Sequence, residues 1–176
     1  MVRYRRNFVP GGTFFFTVTL RNRRSSVLVD HVDLLRDAFR TTQAAQPFHV
    51  DAIVILPEHL HAIWTLPSGD SDFSSRWRKI KGAFTRKAGA VGAALARDSR
   101  GEYDLWQRRF WEHTIRDDDD FQRCVDYIHY NPVMHGLVQS PVDWKLSSLH
   151  RYVREGTLPS DWGGDGAVEG DFGEPV

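Results

Sequence analysis

Residues 49–66 read HVDAIVILPEHLHAIWTL, two apolar runs separated only by Pro57-Glu58. His49 to Leu56 is apolar and β-branched, which predicts a buried strand; His59 to Leu66, closed by Pro67, predicts another. So tight a link between two strands implies an antiparallel hairpin. On a strand, residues two apart project to the same side. His59 and His61 therefore point together while Leu60 points the opposite way. Two neighbouring neutral imidazoles are a natural pair of ligands for a divalent metal; two strand histidines without a metal are the competing reading.

Upstream, Phe14 to Arg21 alternates, with Phe14, Phe16, Val18 and Leu20 on one face and Phe15, Thr17 and Thr19 on the other. That pattern is a strand, opened by the Gly11-Gly12 turn. Val27 to Ala45 carries Leu28, Val32, Leu35 and Phe39 on one helical stripe, broken by Pro47. Downstream, Arg76 to Ala88 predicts a helix with Trp77, Ile80 and Phe84 at helical spacing. Residues 88–105 are Gly/Ala-rich and then polar, and are expected to be a flexible insert. Phe110 to Ile115 is the expected last strand. Asp117 to Asp120 places four acids where a helix dipole favours negative charge. Phe121, Cys124, Val125 and Ile128 form that helix's buried stripe, and Asn131-Pro132 should end it.

The order is β-α-β-β-α-β-α, whose first six elements follow the ferredoxin-like βαββαβ arrangement. The expectation is an α+β fold: a four-stranded antiparallel sheet with helices packed on one face, then a further helix and a short C-terminal extension. Residues 1–162 read as one domain and 163–176 as an acidic tail with little power to fold alone.

The single cysteine, Cys124, excludes an internal disulfide and a cysteine-only metal cage. The N-terminus is Arg-rich without the apolar stretch of a secretory signal, and no apolar run is long enough to span a bilayer, so the cytoplasm is the expected location. The net charge of zero hides an asymmetry: residues 155–176 hold six acids and no Lys or Arg, leaving 23 bases against 17 acids elsewhere. A basic body suits a polyanionic partner, though an ordinary solvated surface would look the same. The tail could then compete with that partner for the basic face.

On a helix turning about 100° per residue, Tyr127 falls at the edge of the apolar stripe, with Asn131 one turn on and Tyr130 nearly opposite, toward solvent. A phenol of ordinary pKa ~10 is a weak nucleophile at neutral pH, so it needs an activated target. A metal held by two histidines can provide one by polarising a phosphodiester. Arg76, Arg78, Lys79 and Lys81 line one helix, and Trp106 to Trp111, with Arg108 and Arg109, interleaves rings and cations near the last strand, although Trp77, Phe110 and Trp111 read equally as core. With Arg5, Arg6, Arg21 and Arg23 these are the candidate nucleic-acid contacts, since single strands are held by cations along the backbone and by stacking on aromatics. His113 is a weaker candidate, for DNA or for orienting another group, and His129 and His135 read as surface or supporting residues.

These stretches resemble the REP-associated tyrosine transposases, relatives of the single-tyrosine HUH transposases. The resemblance is carried by Arg5-Arg6, Gly11-Gly12 with Phe15 to Val18, Leu56 to His61, Trp106 to His113, Tyr127 to Val133, Gly136 to Val138, and Asp143-Trp144 with Ser147-Ser148. It covers nearly the whole chain to about Trp162. It implies His59 and His61 as the metal pair, Asn131 as a polar third ligand, Tyr127 as the nucleophile and Mg²⁺ or Mn²⁺ as the metal. The implied substrate is single-stranded DNA carrying hairpin-forming palindromes, and the implied reaction is nicking and strand transfer through a 5′ phosphotyrosine. One chain should suffice as the working unit. Two other readings compete: a non-catalytic nucleic-acid-binding module on the same fold, and a metal-dependent hydrolase acting through water.

Overall fold

The computed structural model describes residues 7–163. Arg5, Arg6 and the acidic tail from residue 164 lie outside the described residues. The elements are β1 (Thr13–Thr19), α1 (Val27–Asp30), α2 (Val32–Ala45), β2 (His49–Ile55), β3 (His59–Thr65), α3 (Phe73–Ala90), β4 (Trp111–Thr114), α4 (Asp118–Met134) and α5 (Leu149–Arg154), with a 3₁₀ turn at Pro141–Asp143. The four strands form one sheet in the order β2-β3-β1-β4, antiparallel at every pairing. The α+β, ferredoxin-like expectation is met.

Both faces of this sheet are covered, which departs from the one-face expectation. Phe14, Phe16 and Val18 of β1, with Leu20 just after it, join Leu60, Ala62 and Trp64 of β3 in a core beneath α2 and α3. Its centre is aromatic: the Trp64 ring lies 4.2 Å from Phe48 and 4.1 Å from Trp77 between centroids. The alternate residues Phe15 and Ile63 face the other way, into a second core with Ala52 and Val54 of β2 and Cys124, Val125, Tyr127 and Ile128 of α4. The alternation in β1 thus separates two apolar layers rather than core from solvent. That is why six of its seven residues are buried.

Three boundaries differ from the sequence reading. The first long helix is broken at His31, whose φ of −121° and ψ of 35° separate α1 from α2. No Gly or Pro marks the break. α3 begins three residues early because Asp72 caps it, accepting from the Ser75 N–H at 2.9 Å. α4 runs past Pro132 to Met134. Pro132 lies in the last turn, where its missing N–H costs the ladder a single bond. The true stop is Gly136, left-handed at φ 66°. Its N–H meets Val133 O and that of Leu137 meets Pro132 O, both at 2.9 Å, the Schellman pairing that satisfies the last carbonyls.

After α4 the chain returns to cover the outer edge of β2. Ile55 N–H donates to Leu146 O at 2.9 Å, Ser148 N–H to Ile53 O at 2.8 Å, and Trp144 Nε1 to Ile55 O at 3.0 Å. An edge that would otherwise offer unpaired backbone groups is closed this way. The segment after α3 is folded as well: Arg97 and Tyr103 form a bridge, and Tyr103 packs where a Cβ at Gly89 would come within 2.5 Å of its hydroxyl. Leu105 returns the chain to the core. Among the described residues no helix is long and apolar enough to cross a membrane.

Candidate active site

β3 begins immediately after the Pro57-Glu58 turn, where Leu56 N–H donates to His59 O at 2.9 Å. In the register, His59 lies opposite Thr19 and His61 opposite Thr17, so both histidines share the Phe15 face with α4. They are 1% and 0% exposed, with ring centroids 4.9 Å apart.

Each imidazole is oriented through Nδ1. Glu58 Oε1 lies 2.9 Å from His59 Nδ1, and Thr17 Oγ1 lies 2.9 Å from His61 Nδ1. With Nδ1 engaged, Nε2 is the nitrogen each ring can offer to a metal, and a carboxylate behind a ligating imidazole raises its basicity. Burial works to raise the Glu58 pKa. The His59 hydrogen bond and charge, helped by Arg23 at 3.6 Å, outweigh it, and the carboxyl ends below its ordinary value. Glu58 therefore stays ionised behind His59.

Tyr127 reaches this group from α4. Its ring centroid is 5.3 Å from His61 and 6.0 Å from Phe15, which itself lies 5.5 Å from His61. Asn131, one turn further along α4, is fully buried. The structure thus brings together Tyr127, His59 and His61. It buries Tyr127 to 2% exposure rather than leaving it at the boundary. His129, read as surface or supporting, is fully buried and supporting. Its Nε2 lies 2.9 Å from Ser148 Oγ, and the rings of Tyr152 and Trp162 pack against it. Tyr130 is half-buried for the same reason: the C-terminal segment packs on the side of α4 that a helical wheel assigns to solvent. The exposed His135 had no assigned place in the site, yet its ring lies 4.9 Å from His59.

A second group of potential metal donors stands at the start of α4. Ligand atoms of His113, Asp120 and Cys124 lie within 4.8 Å of one another. Asp117 caps the helix, accepting from the Asp120 N–H at 2.8 Å, as the acidic run suggested. Asp120 alone turns inward, 3% exposed, where it meets His113 Nε2 at 2.8 Å and accepts from Arg116 and Arg123. Burial works to raise its pKa, but these partners hold the carboxyl below its ordinary range. Burial, then the Asp120 charge, pushes the Cys124 thiol up to about 12, so it stays protonated. Two guanidinium groups on the carboxylate and a neutral thiol make this a poorer cation site than the histidine pair, whose donor chemistry fits a divalent ion.

The basic candidates divide. Arg76 is 2% exposed and structural: its guanidinium donates to the carbonyls of Gln46, Pro47 and Asp72 and to Asp70. Trp106 is 9% exposed, with Nε1 donating to Thr85, and Lys81 donates to the Gln107 carbonyl beneath it. Arg21 pairs with Asp104 at 2.9 Å. Arg78 and Lys79 are exposed, but on α3, across the sheet from the histidines. Arg108 and Arg109 are exposed beside the site, following Gln107, whose N–H bonds Thr19 O opposite His59.

Comparison with known proteins bears directly on this geometry. A REP-associated tyrosine transposase of Escherichia coli (strain K12) is 49% identical over 165 residues, 94% of this chain and 93% of the relative. The chain belongs to the REP-associated tyrosine transposases. A Haemophilus influenzae relative of the same family name is 42% identical over 98% of this chain and all of its own length. A solved REP-associated tyrosine transposase bound to a REP hairpin superposes with a TM-score of 0.88 at 47% identity, covering 100% of this chain and 99% of that one. No protein-family model matches the chain. As a member of the REP-associated tyrosine transposases, the chain is a DNA-processing enzyme, and its sheet and helices are those of the family.

Proposed function

We propose that this transposase nicks and rejoins single-stranded DNA beside a folded hairpin, with Tyr127 as nucleophile and His59 and His61 as metal ligands. The observation that carries the reading is one buried group in which the Tyr127 ring lies 5.3 Å from His61 and the two imidazoles lie 4.9 Å apart. The hairpin in the related structure supports hairpin DNA as the substrate.

Tyr127 Oη attacks the scissile phosphorus in line, and the bond from phosphorus to the 3′ oxygen breaks. The phenolic proton is lost and the departing 3′ oxygen gains one. The products are a 5′ phosphotyrosine and a free 3′ hydroxyl. Attack by a second 3′ hydroxyl reverses the step, and the bond retained on Tyr127 removes any need for a nucleotide cofactor. Mg²⁺ or Mn²⁺ bound at the pair would polarise the phosphodiester and stabilise charge developing at the leaving oxygen. Glu58 and Thr17 hold the two rings in position, and Asn131 is assigned as the third polar ligand. Two imidazoles and an amide carry no formal charge, so a divalent ion there should be held more firmly once DNA phosphate adds anionic oxygens. Arg108 and Arg109 are placed to track the strand at the site. Arg78 and Lys79 can serve only DNA that wraps to the far side of the sheet. Tyr127, His59 and His61 meet within one chain, which supports a single chain as the working unit.

The test is a hairpin oligonucleotide with a single-stranded flank, labelled at its 3′ end and incubated with Mn²⁺. A protein-linked band that resists denaturation, and that is lost with EDTA and in Tyr127→Phe, is expected. Tight binding with no linked band would leave a DNA-binding module without catalysis; release of cut DNA with no linked band would point to attack by water.

A further inference from the structure

We infer that Trp111 and His113 form a stacking platform for the unpaired bases next to the scissile phosphate. This rests on the catalytic reading above and adds a nucleotide subsite to it.

On the catalytic face α4 lies over β2 and β3. Of the outer strand β4, Trp111 packs at the edge of this core and His113 meets Asp120 at the start of α4. Trp111 lies opposite Thr17, which lies opposite His61, and His113 lies opposite Phe15. Both β4 rings therefore project from the same face as the histidine pair. They stand nearly parallel, 9° between planes and 6.0 Å between centroids. Both are half-buried, while Phe15 and Thr17 beside them are buried. Trp111 rests edge-on against Phe15 at 5.6 Å, and Phe15 touches both Tyr127 and His61. One phenyl ring thus separates the platform from the nucleophile, so the occupant must be a neighbour of the bond that Tyr127 attacks.

His113 is not free to swing. Its Nε2 is held at 2.8 Å by Asp120, itself 3% exposed and fixed by Arg116 and Arg123. That arrangement keeps the imidazole parallel to the indole. Cations stand at both ends of the strand: exposed Arg108 and Arg109 before it, and Arg116, 69% exposed, after it. Planar rings flanked by arginines match an unpaired nucleic-acid strand, whose bases stack and whose phosphates need countercharge. The sequence reading took Trp106 to Trp111 together as interleaved rings and cations; the structure buries Trp106 and turns Trp111 toward the site.

The test uses a REP hairpin with a single-stranded flank, carrying one 5-iodo-deoxyuridine at each unpaired position in turn, on Tyr127→Phe protein. Irradiation and peptide mapping should give a crosslink to Trp111 from the positions adjoining the nick found with the unsubstituted protein. Trp111→Leu should weaken binding of the flanked hairpin roughly tenfold, the size of one lost base stack, without weakening a blunt hairpin, and Trp111→Phe should retain most of the affinity. Should Trp111→Leu fail to fold, the crosslink and Trp111→Phe still decide. Crosslinks only to other residues, or unchanged flank affinity in a folded Trp111→Leu, would overturn the platform. The linked band of the unsubstituted protein reads the catalytic assignment separately. A band without the Trp111 crosslink removes the platform alone, and the crosslink beside a nick cut without a linked band supports the platform while removing the nucleophile.

Discussion

His129 should make this protein lose stability in mild acid. The ring is fully buried between α4 and the C-terminal segment. Burial, helped by the charges of Arg151 and His150, pushes its pKa down from 6.5 to about 3. The unfolded chain therefore binds a proton below about pH 6.5 that the folded chain refuses until about pH 3. Stability is complete above the higher value and falls as pH drops between the two. The slope is ~1.4 kcal/mol per pH unit, so the loss reaches ~2 kcal/mol by pH 5. Urea unfolding at pH 8 and pH 5 measures it, with His129→Gln as the non-titrating control. The other titrating groups cancel in the difference between the two proteins. Wild type should lose about 2 kcal/mol more than His129→Gln over that interval, with no change in the dependence on urea. Equal losses would mean that His129 is not held neutral and that the C-terminal segment does not seal α4.

Three further outcomes follow from the packing. Glu58→Ala should weaken Mn²⁺ binding, read by calorimetry, roughly 10- to 100-fold by removing the carboxylate behind His59, and unchanged affinity would exclude that role. Cys124 should resist maleimide in the native protein and react only on unfolding, because it is buried with a thiol pKa near 12; rapid native labelling would contradict the second core. Trp64→Ala should cost about 3–5 kcal/mol in denaturant unfolding, since it empties the centre of the larger core; a cost below ~1 kcal/mol would deny that centre.

The hairpin at residues 49–66 was legible because short apolar, β-branched runs and a Pro-containing turn are local signals, and strand geometry fixes the shared direction of His59 and His61. The ferredoxin-like order followed from counting such elements. What escaped depends on distant partners. Arg76 looks like its basic neighbours on α3 until the carbonyls of Gln46 and Pro47, 30 and 29 residues away, are brought to it. His129 is buried because a segment beyond residue 140 returns over α4, and Tyr127 because it packs on Phe15 and His61 of the sheet; no helical wheel contains either partner. Gly136 was a readable helix stop that the nearer Pro132 obscured. Glu58 sat inside the quoted stretch but read only as a turn residue; its position beside a candidate ligand histidine was the available clue.

The central claim is that Tyr127, and no other residue, takes the DNA strand. Wild-type protein trapped with a flanked REP hairpin and Mn²⁺, digested with protease and nuclease and mapped by mass spectrometry, tests it most directly. The account predicts a nucleotide 5′ phosphate on the peptide containing Tyr127. The same mass on Tyr130 or elsewhere, or no modified peptide from a reaction that cleaves the DNA, would contradict it.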